Sequence, residues 1–207
     1  MLDWDSCVLW LDSRYFSESK WWDRSKYAND GIVHEAVWKS DGFEFTAGDD
    51  YIDLPLDVVF DDEMSIEIVF ELYDVSDAGR VIGSQHSNGG YYEFRIGITT
   101  EQILFFYVGI GSSVPYVSFL YDWYDKTHGV WTWKYDDSTG KTTLRGYKDG
   151  EHKQSKTFDG KVQLPDLNLR LGHWKTYGMK GKIYMARFYH KVLSDDEIKT
   201  LATMEGF

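Results

Sequence analysis

The chain has 207 residues, 43% of them hydrophobic and 17% aromatic, enough for one domain with a full core and too few for two comfortable ones. That aromatic content excludes intrinsic disorder. The net charge of −12, from 22 basic against 34 acidic residues, gives the wrong field for a phosphate backbone, so nucleic acid is not an expected partner.

Cys7 is the single cysteine, so no intramolecular disulfide can form, which fits a reducing compartment. The opening residues "MLDWDSCVLWLD" carry no basic stretch followed by an apolar run; neither a signal peptide nor an anchor is expected. The longest apolar runs, such as "ILFFYVGIG" at 103–111, reach about nine residues against the ~20 of a membrane helix. Synthesis in the cytoplasm without membrane insertion is the expectation, with incorporation into a virus particle left open as the final address.

In chain order the dominant period is two. "CVLWLD" (7–12) reads as an opening strand with Cys7 as a small core residue. In 64–73, Ile66, Ile68, Phe70 and Leu72 share one face and Ser65, Glu67, Val69 and Glu71 the other, the pattern of a half-buried antiparallel strand. Segment 91–98 alternates Tyr92, Phe94, Ile96 and Ile98 against Glu93, Arg95 and Gly97. "GIGSSV" at 109–114 follows a strand without opening a helix and reads as a turn. Segment 129–137 sets Trp131, Trp133 and Tyr135 against Val130, Thr132 and Lys134, and segments 143–150, 167–172 and 182–190 repeat the alternation. Asn88-Gly89, Ser138-Thr139-Gly140 and Asp149-Gly150 supply the positive φ of tight hairpins. The one helix signal is terminal: Ser194 with Glu197 forms a capping box, Asp195 and Asp196 suit the helix dipole, and Leu193, Ile198 and Leu201 would dock the helix. Regular short strands without a linker predict an all-β, two-sheet antiparallel sandwich over residues 1–207 as a single domain.

Four segments, in this order, resemble the laminin-G-like jelly-roll domains of the concanavalin A-like superfamily. They are "CVLWLD" (7–12) with "DRSKYANDGIV" (23–33), "DGFEFTAGDDYIDLP" (41–55), "WKYDDSTGKTTLRGYKDGE" (133–151) and "LRLGHWKTYGMKGKIYMARFYHKVLSDDEIKTL" (169–201). The resemblance implies the jelly-roll sandwich and a family of lectins, carbohydrate-binding modules, adhesion domains and modules of virus particles. It also implies calcium as an optional ion. Relatives hold it with an acidic pair like Asp49 and Asp50, and Asn29, with Asp23 and Asp30, lies in the preceding loop; hard oxygen ligands suit the ion, though "GDD" is also ordinary turn chemistry.

Few residues lie outside this strand-and-turn pattern. Glycosidases of the laminarinase type, which share the fold, carry Glu-x-Asp-x-Glu or Glu-x-Asp-x-x-Glu on one strand. Glu67 and Glu71 have no Asp between them and stand ~13 Å apart on an extended strand, whereas catalytic carboxyl pairs are roughly 5–9.5 Å apart. They read as charges on a solvated strand face. Alginate lyases of this fold carry Gln-x-His; here Gln85 and His86 are adjacent and would point to opposite faces, and an acidic chain repels a polyuronate. The chain is therefore expected not to be an enzyme.

Aromatic rings in polar loops are the stronger signal, because Trp and Tyr stack on the apolar faces of sugars while keeping a polar tip in water. Trp123 and Tyr124, Trp174 and Tyr177, with His86 beside the 87–90 turn, are the candidate ligand-binding residues. The expected function is a lectin-like recognition domain for carbohydrate or another protein surface. The alternative is a structural or decoration protein of a phage or virus particle, and polysaccharide degradation is the distant third reading. Nothing in the sequence forbids a homo-oligomer.

Overall fold

A computed structural model describes residues 2–46, 48–55, 62–73, 80–84, 94–110, 114–121, 125–163, 169–174 and 177–207. Where apolar and polar residues alternate, the chain forms strands. The first group is β1 (Cys7–Phe16), β2 (Lys20–Asp23), β3 (Gly31–His34), β4 (Val37–Lys39), β5 (Gly42–Phe45) and β6 (Tyr51–Leu54). Then follow β7 (Glu63–Leu72), β8 (Arg80–Ser84), β9 (Phe94–Ile98), β10 (Ile103–Val108), β11 (Tyr116–Leu120) and β12 (Thr127–Asp136). The last are β13 (Lys141–Lys148), β14 (Glu151–Asp159), β15 (Leu169–Leu171), β16 (His173–Trp174), β17 (Tyr177–Gly178) and β18 (Gly181–Tyr189), followed by helix α1 (Asp195–Met204).

The all-β architecture with one C-terminal helix matches the expectation. The hydrogen bonding, however, joins sixteen strands into one antiparallel sheet, in the order β11-β10-β9-β8-β15-β6-β3-β2-β1-β18-β7-β12-β13-β14, with β5 attached to β18 and β4 to β5. The continuity comes from β1, which is long enough to serve two neighbours. Its first half pairs with β18 (Cys7 to Asp12) and its second, after a register irregularity, with β2 at Phe16; such irregularities bend a strand. The sheet curls until β11 returns beside β14, where the Ser118 N–H donates to Gln154 Oε1 at 2.7 Å. The core lies inside the curl. Trp131 and Trp133 are fully buried there, as their alternation predicts, and Phe94 and Phe106 bring their rings within 5.9 and 6.0 Å of Trp133.

Local signals hold at the helix and its turn. Ser194 accepts from the Glu197 N–H, and the Glu197 side chain accepts from the Ser194 N–H. Asp149 and Gly150 take φ of +53° and +79°, the double left-handed geometry that an Asp-Gly hairpin supplies. That turn lies under α1: a Cβ on Gly150 would sit 3.0 Å from Ala202 Cβ.

The reading of β7 as half-solvated is corrected. Ser65, Glu67 and Val69 are as buried as the core face opposite them. Helix α1 covers this outer face, with a second apolar cluster of Cys7, Val130, Tyr147, Tyr189, Leu193, Ile198 and Leu201 beneath it. Ser65 Oγ anchors the helix entry, donating to the Lys191 carbonyl at 2.8 Å and accepting from the Leu193 N–H at 2.9 Å. Cys7 is a buried core residue as expected, its thiol pushed up to about 12 by burial.

Glu67 is therefore no solvated charge: its side chain is 0% exposed. It lies directly across from Arg187 in the β7–β18 register. Arg187 Nη1 donates to both of its oxygens at 3.1 and 3.3 Å, Tyr189 Oη donates at 3.0 Å, and His128 Nε2 stands 2.9 Å away. Arg187 Nη2 also donates to Glu205 Oε1, just past the helix end, at 2.5 Å. Burial works against the Glu67 charge, but Arg187, His128 and Tyr189 outweigh it and hold its pKa below the ordinary 4.5.

Two outcomes follow. Arg187→Met leaves Glu67 buried without its main counter-charge and should cost about 3–5 kcal/mol of unfolding free energy in denaturant titration, whereas replacing both partners by apolar residues should cost far less. Because the folded-state pKa of Glu67 lies below its unfolded value, its stabilising contribution is complete above about pH 4.5 and is lost as the pH falls through the folded value. Wild-type stability measured from pH 6 downward should decline in that acid window, and a Glu67→Gln variant should decline less steeply.

Candidate functional site

The Glu67–Arg187 pair extends across four strands as a row of facing residues: Trp10 on β1, Arg187 on β18, Glu67 on β7 and Val130 on β12. Where the helix ends, this outer face opens into a groove of about 740 Å³, within the usual range for small-molecule sites. Its floor is built from Trp10 and Asp12 on β1 and from Tyr184, Met185 and Arg187 on β18. Its borders are Arg14 and Arg24 on the β1–β2 side, Phe16, Trp38, Ser40 and Asp41 at one end, Lys126 ahead of β12, and Met204 and Glu205 at the helix end. From β1 to β12 there are three strand spacings, or about 14 Å.

Each border is fixed locally. Phe16 and Trp38 stack with ring centroids 4.1 Å apart against the core. Asp12, only 8% exposed, accepts from the Arg14 N–H at 3.0 Å and from Arg14 Nε at 2.9 Å; burial opposes its charge, yet the Arg14 bonds hold its carboxyl below the ordinary carboxylate range. Asp41 takes Lys182 Nζ at 3.0 Å, and Tyr184 Oη donates to Glu71 at 2.6 Å; burial and that bond push the Tyr184 phenol well up.

Arg24 is placed by the Asp-x-Ser-x-x-x-Asn loop that ends β2. Asp23 accepts from the N–H groups of Trp10 (2.7 Å), Ser25 (2.8 Å) and Asn29 (2.8 Å), and from Ser25 Oγ (2.6 Å). The Arg24 N–H donates to the Trp10 carbonyl at 2.9 Å. Its guanidinium then lies 4.5 Å from the Trp10 ring centre and 4.1 Å from that of Tyr15.

The sequence-predicted residues fall elsewhere. His86, Trp123 and Tyr124 lie outside the described residues. Trp174 and Tyr177 face one another in the β16–β17 hairpin. Asp49 is exposed in the turn before β6, whereas Asp50 is buried and its Oδ2 accepts from the Thr46 N–H at 2.6 Å and Thr46 Oγ1 at 3.1 Å. Asn29 donates Nδ2 to the Val8 carbonyl at 2.8 Å. Among the described residues, no three His, Cys, Asp or Glu side chains gather as a metal site.

The segments around Asp50 and Trp174 do come together. Tyr51, next to Asp50, has its ring 5.6 Å from that of His173, which begins the hairpin of Trp174 and Tyr177. Around Tyr51 stand His34, stacked at 4.4 Å, and Arg170, 4.2 Å from the ring centre and bonded through Nε to Asp53 at 2.9 Å. Burial, followed by the nearby Arg170 charge, holds the His173 pKa below its ordinary value. This is a second, flatter candidate surface.

Sequence reasoning missed the groove because its residues come from six separate segments. The available signal was in β1, whose polar face (Trp10, Asp12, Arg14) places a tryptophan among charges opposite Leu9 and Leu11.

Residues 46–199 match a laminin-G-like family model described as the concanavalin A-like lectin/glucanases superfamily. A comparison with curated protein sequences found no match. Among solved structures, the binding domain of botulinum neurotoxin serotype D aligns at TM-score 0.77 and 16% identity, covering 98% of this chain and 51% of that one. The binding domain of botulinum neurotoxin DC aligns at 0.74 and 16% in a complex with SialylT (99% and 52% covered), and at 0.72 and 17% in a complex with rat synaptotagmin II (99% and 53%). Trypanosoma rangeli sialidase in complex with sialic acid aligns at 0.72 and 13%, covering 97% of this chain and 33% of that one. The chain thus spans about half of the toxin domains and a third of the sialidase, and at these identities the likeness shows the fold.

Proposed function

The chain belongs to the concanavalin A-like lectin/glucanases superfamily, and on that premise we propose that it is a non-catalytic carbohydrate-recognition domain whose ligand lies in the groove. The observation that carries this reading is the groove itself, where the rings of Trp10, Trp38 and Tyr184 stand beside charged groups already held in place by their neighbours. Rings offer apolar surface to sugar C–H faces, and pre-oriented polar groups add specificity without ordering costs on binding. Structures of the same fold in complexes with SialylT and sialic acid support the choice of ligand class. The carboxylates that suggested glycosidase chemistry support the non-catalytic half. Glu67 is sealed beneath the helix, and Glu71 is bonded to Tyr184.

A glycan array followed by thermal shift tests the reading. A bound glycan at a hundredfold excess over its Kd should raise the melting temperature by about 5–10 °C. Trp38→Ala, checked for folding by circular dichroism, should weaken that binding about tenfold or more, as loss of an aromatic anchor does. Absence of any hit removes the carbohydrate reading, and release of products from a polysaccharide panel removes the non-catalytic one.

Calcium at the Asp49–Asp50 turn has its own test. Asp50 already fixes the turn through Thr46, so EDTA should leave the melting temperature unchanged. A fall that added calcium reverses would instead assign the turn as a calcium site.

A further inference from the structure

The groove gathers cations within an acidic protein. The chain carries −12 overall, yet each of the three carboxylates on the groove is bonded to a cation, Glu205 sharing Arg187 with the buried Glu67. Asp12 is bonded to Arg14, Asp41 to Lys182 and Glu205 to Arg187. Two cations remain, and both are held by rings. Arg24 lies between Trp10 and Tyr15. It stands 3.5 Å from Asp12, whose oxygens already take three bonds from Arg14, and its guanidinium makes no hydrogen bond among the described residues. Lys126 stands over the rings of Tyr184 and Phe207, at 4.9 and 5.6 Å from their centres, with no carboxylate partner among the described residues.

Aromatic faces hold a cation in place while leaving its N–H donors and most of its charge unspent. A guanidinium held against two rings keeps a fork of donors that matches a carboxylate or sulfate, and little side-chain freedom remains to be lost on binding. The Arg24 side chain is 32% exposed, so part of it is open to a ligand. Lys126 lines the same groove from the border ahead of β12.

Resting on the carbohydrate reading, we propose that the groove selects anionic saccharides, with Arg24 and Lys126 as the groups that bind the carboxylate or sulfate. The overall acidity then disfavours long polyanions such as polyuronates, while a short glycan with one or two anionic groups meets Arg24 and Lys126.

The experiment uses the full chain on an array that carries each glycan core in neutral, carboxylated and sulfated forms. The best anionic hit and its neutral core are then compared by calorimetry. The anionic form should bind about tenfold tighter or more, as a charge-assisted pair contributes, and should lose most of that advantage between about 50 and 300 mM NaCl. Arg24→Gln and Lys126→Glu should each remove most of the difference between the anionic form and its neutral core. Lys126 is exposed, so its variant tests the proposal even if Arg24→Gln fails to fold. The carboxylated and sulfated arms show which anion is preferred. Equal binding of neutral and anionic forms, or unchanged anionic affinity in the folded variants, overturns the selectivity and leaves the carbohydrate reading standing. If neither form of any core binds, both readings fall.

Discussion

The outer face of this sheet is organised by one constraint, the burial of the Glu67 carboxylate. A carboxylate taken wholly out of water must be paired and hydrogen-bonded or it does not stay ionised. Arg187 supplies the charge, and His128 and Tyr189 occupy the remaining sides. That requirement fixes the mutual positions of β7, β12 and β18. Through Glu205 it also fixes the far end of α1, and the helix in turn is what excludes water from Glu67.

The groove lies at the edge of this arrangement. Arg187, the centre of the buried network, is also part of the groove floor, and its guanidinium lies 5.0 Å from the Trp10 ring centre. The opposite face of Trp10's surroundings is governed by Asp23, whose four accepted hydrogen bonds tie the loop after β2 to β1 and set Arg24 against its two rings. The loop from Asp23 to Asn29 is structural in its bonds and sets the place of Arg24. Side chains held this way need little reordering on binding, so specificity can come from placement rather than from contact area.

What the sequence made legible was local. The capping box at Ser194 and Glu197, the Asp149-Gly150 turn and the buried face of Trp131 and Trp133 depend on neighbours a few residues away, and each stands where the pattern places it. The second face of β7 was not legible. Its Ser-Glu-Val-Glu alternation is what a solvated face looks like, and only the docking of a helix from more than a hundred residues later buries it. The groove escaped for the same reason: Trp10, Arg24, Trp38, Lys126 and Tyr184 share no spacing, and strand order alone makes them neighbours. The aromatic surplus led the sequence reading to rings among polar groups. It directed attention to loops, whereas the groove's rings stand mainly on strands β1, β4 and β18.

The groove and the cluster of His34, Tyr51, Arg170 and His173 are the two candidate surfaces for the proposed ligand. Chemical-shift mapping during titration with an array-selected glycan separates them most directly, because the indole N–H signals of Trp10 and Trp38 report on the groove and the backbone signals of Tyr51 and His173 on the other face. Shifts concentrated at Trp10, Trp38, Arg24 and Lys126 are the predicted result. Shifts confined to Tyr51, Arg170 and His173, with the groove signals unmoved, would contradict the assignment of the groove as the binding site.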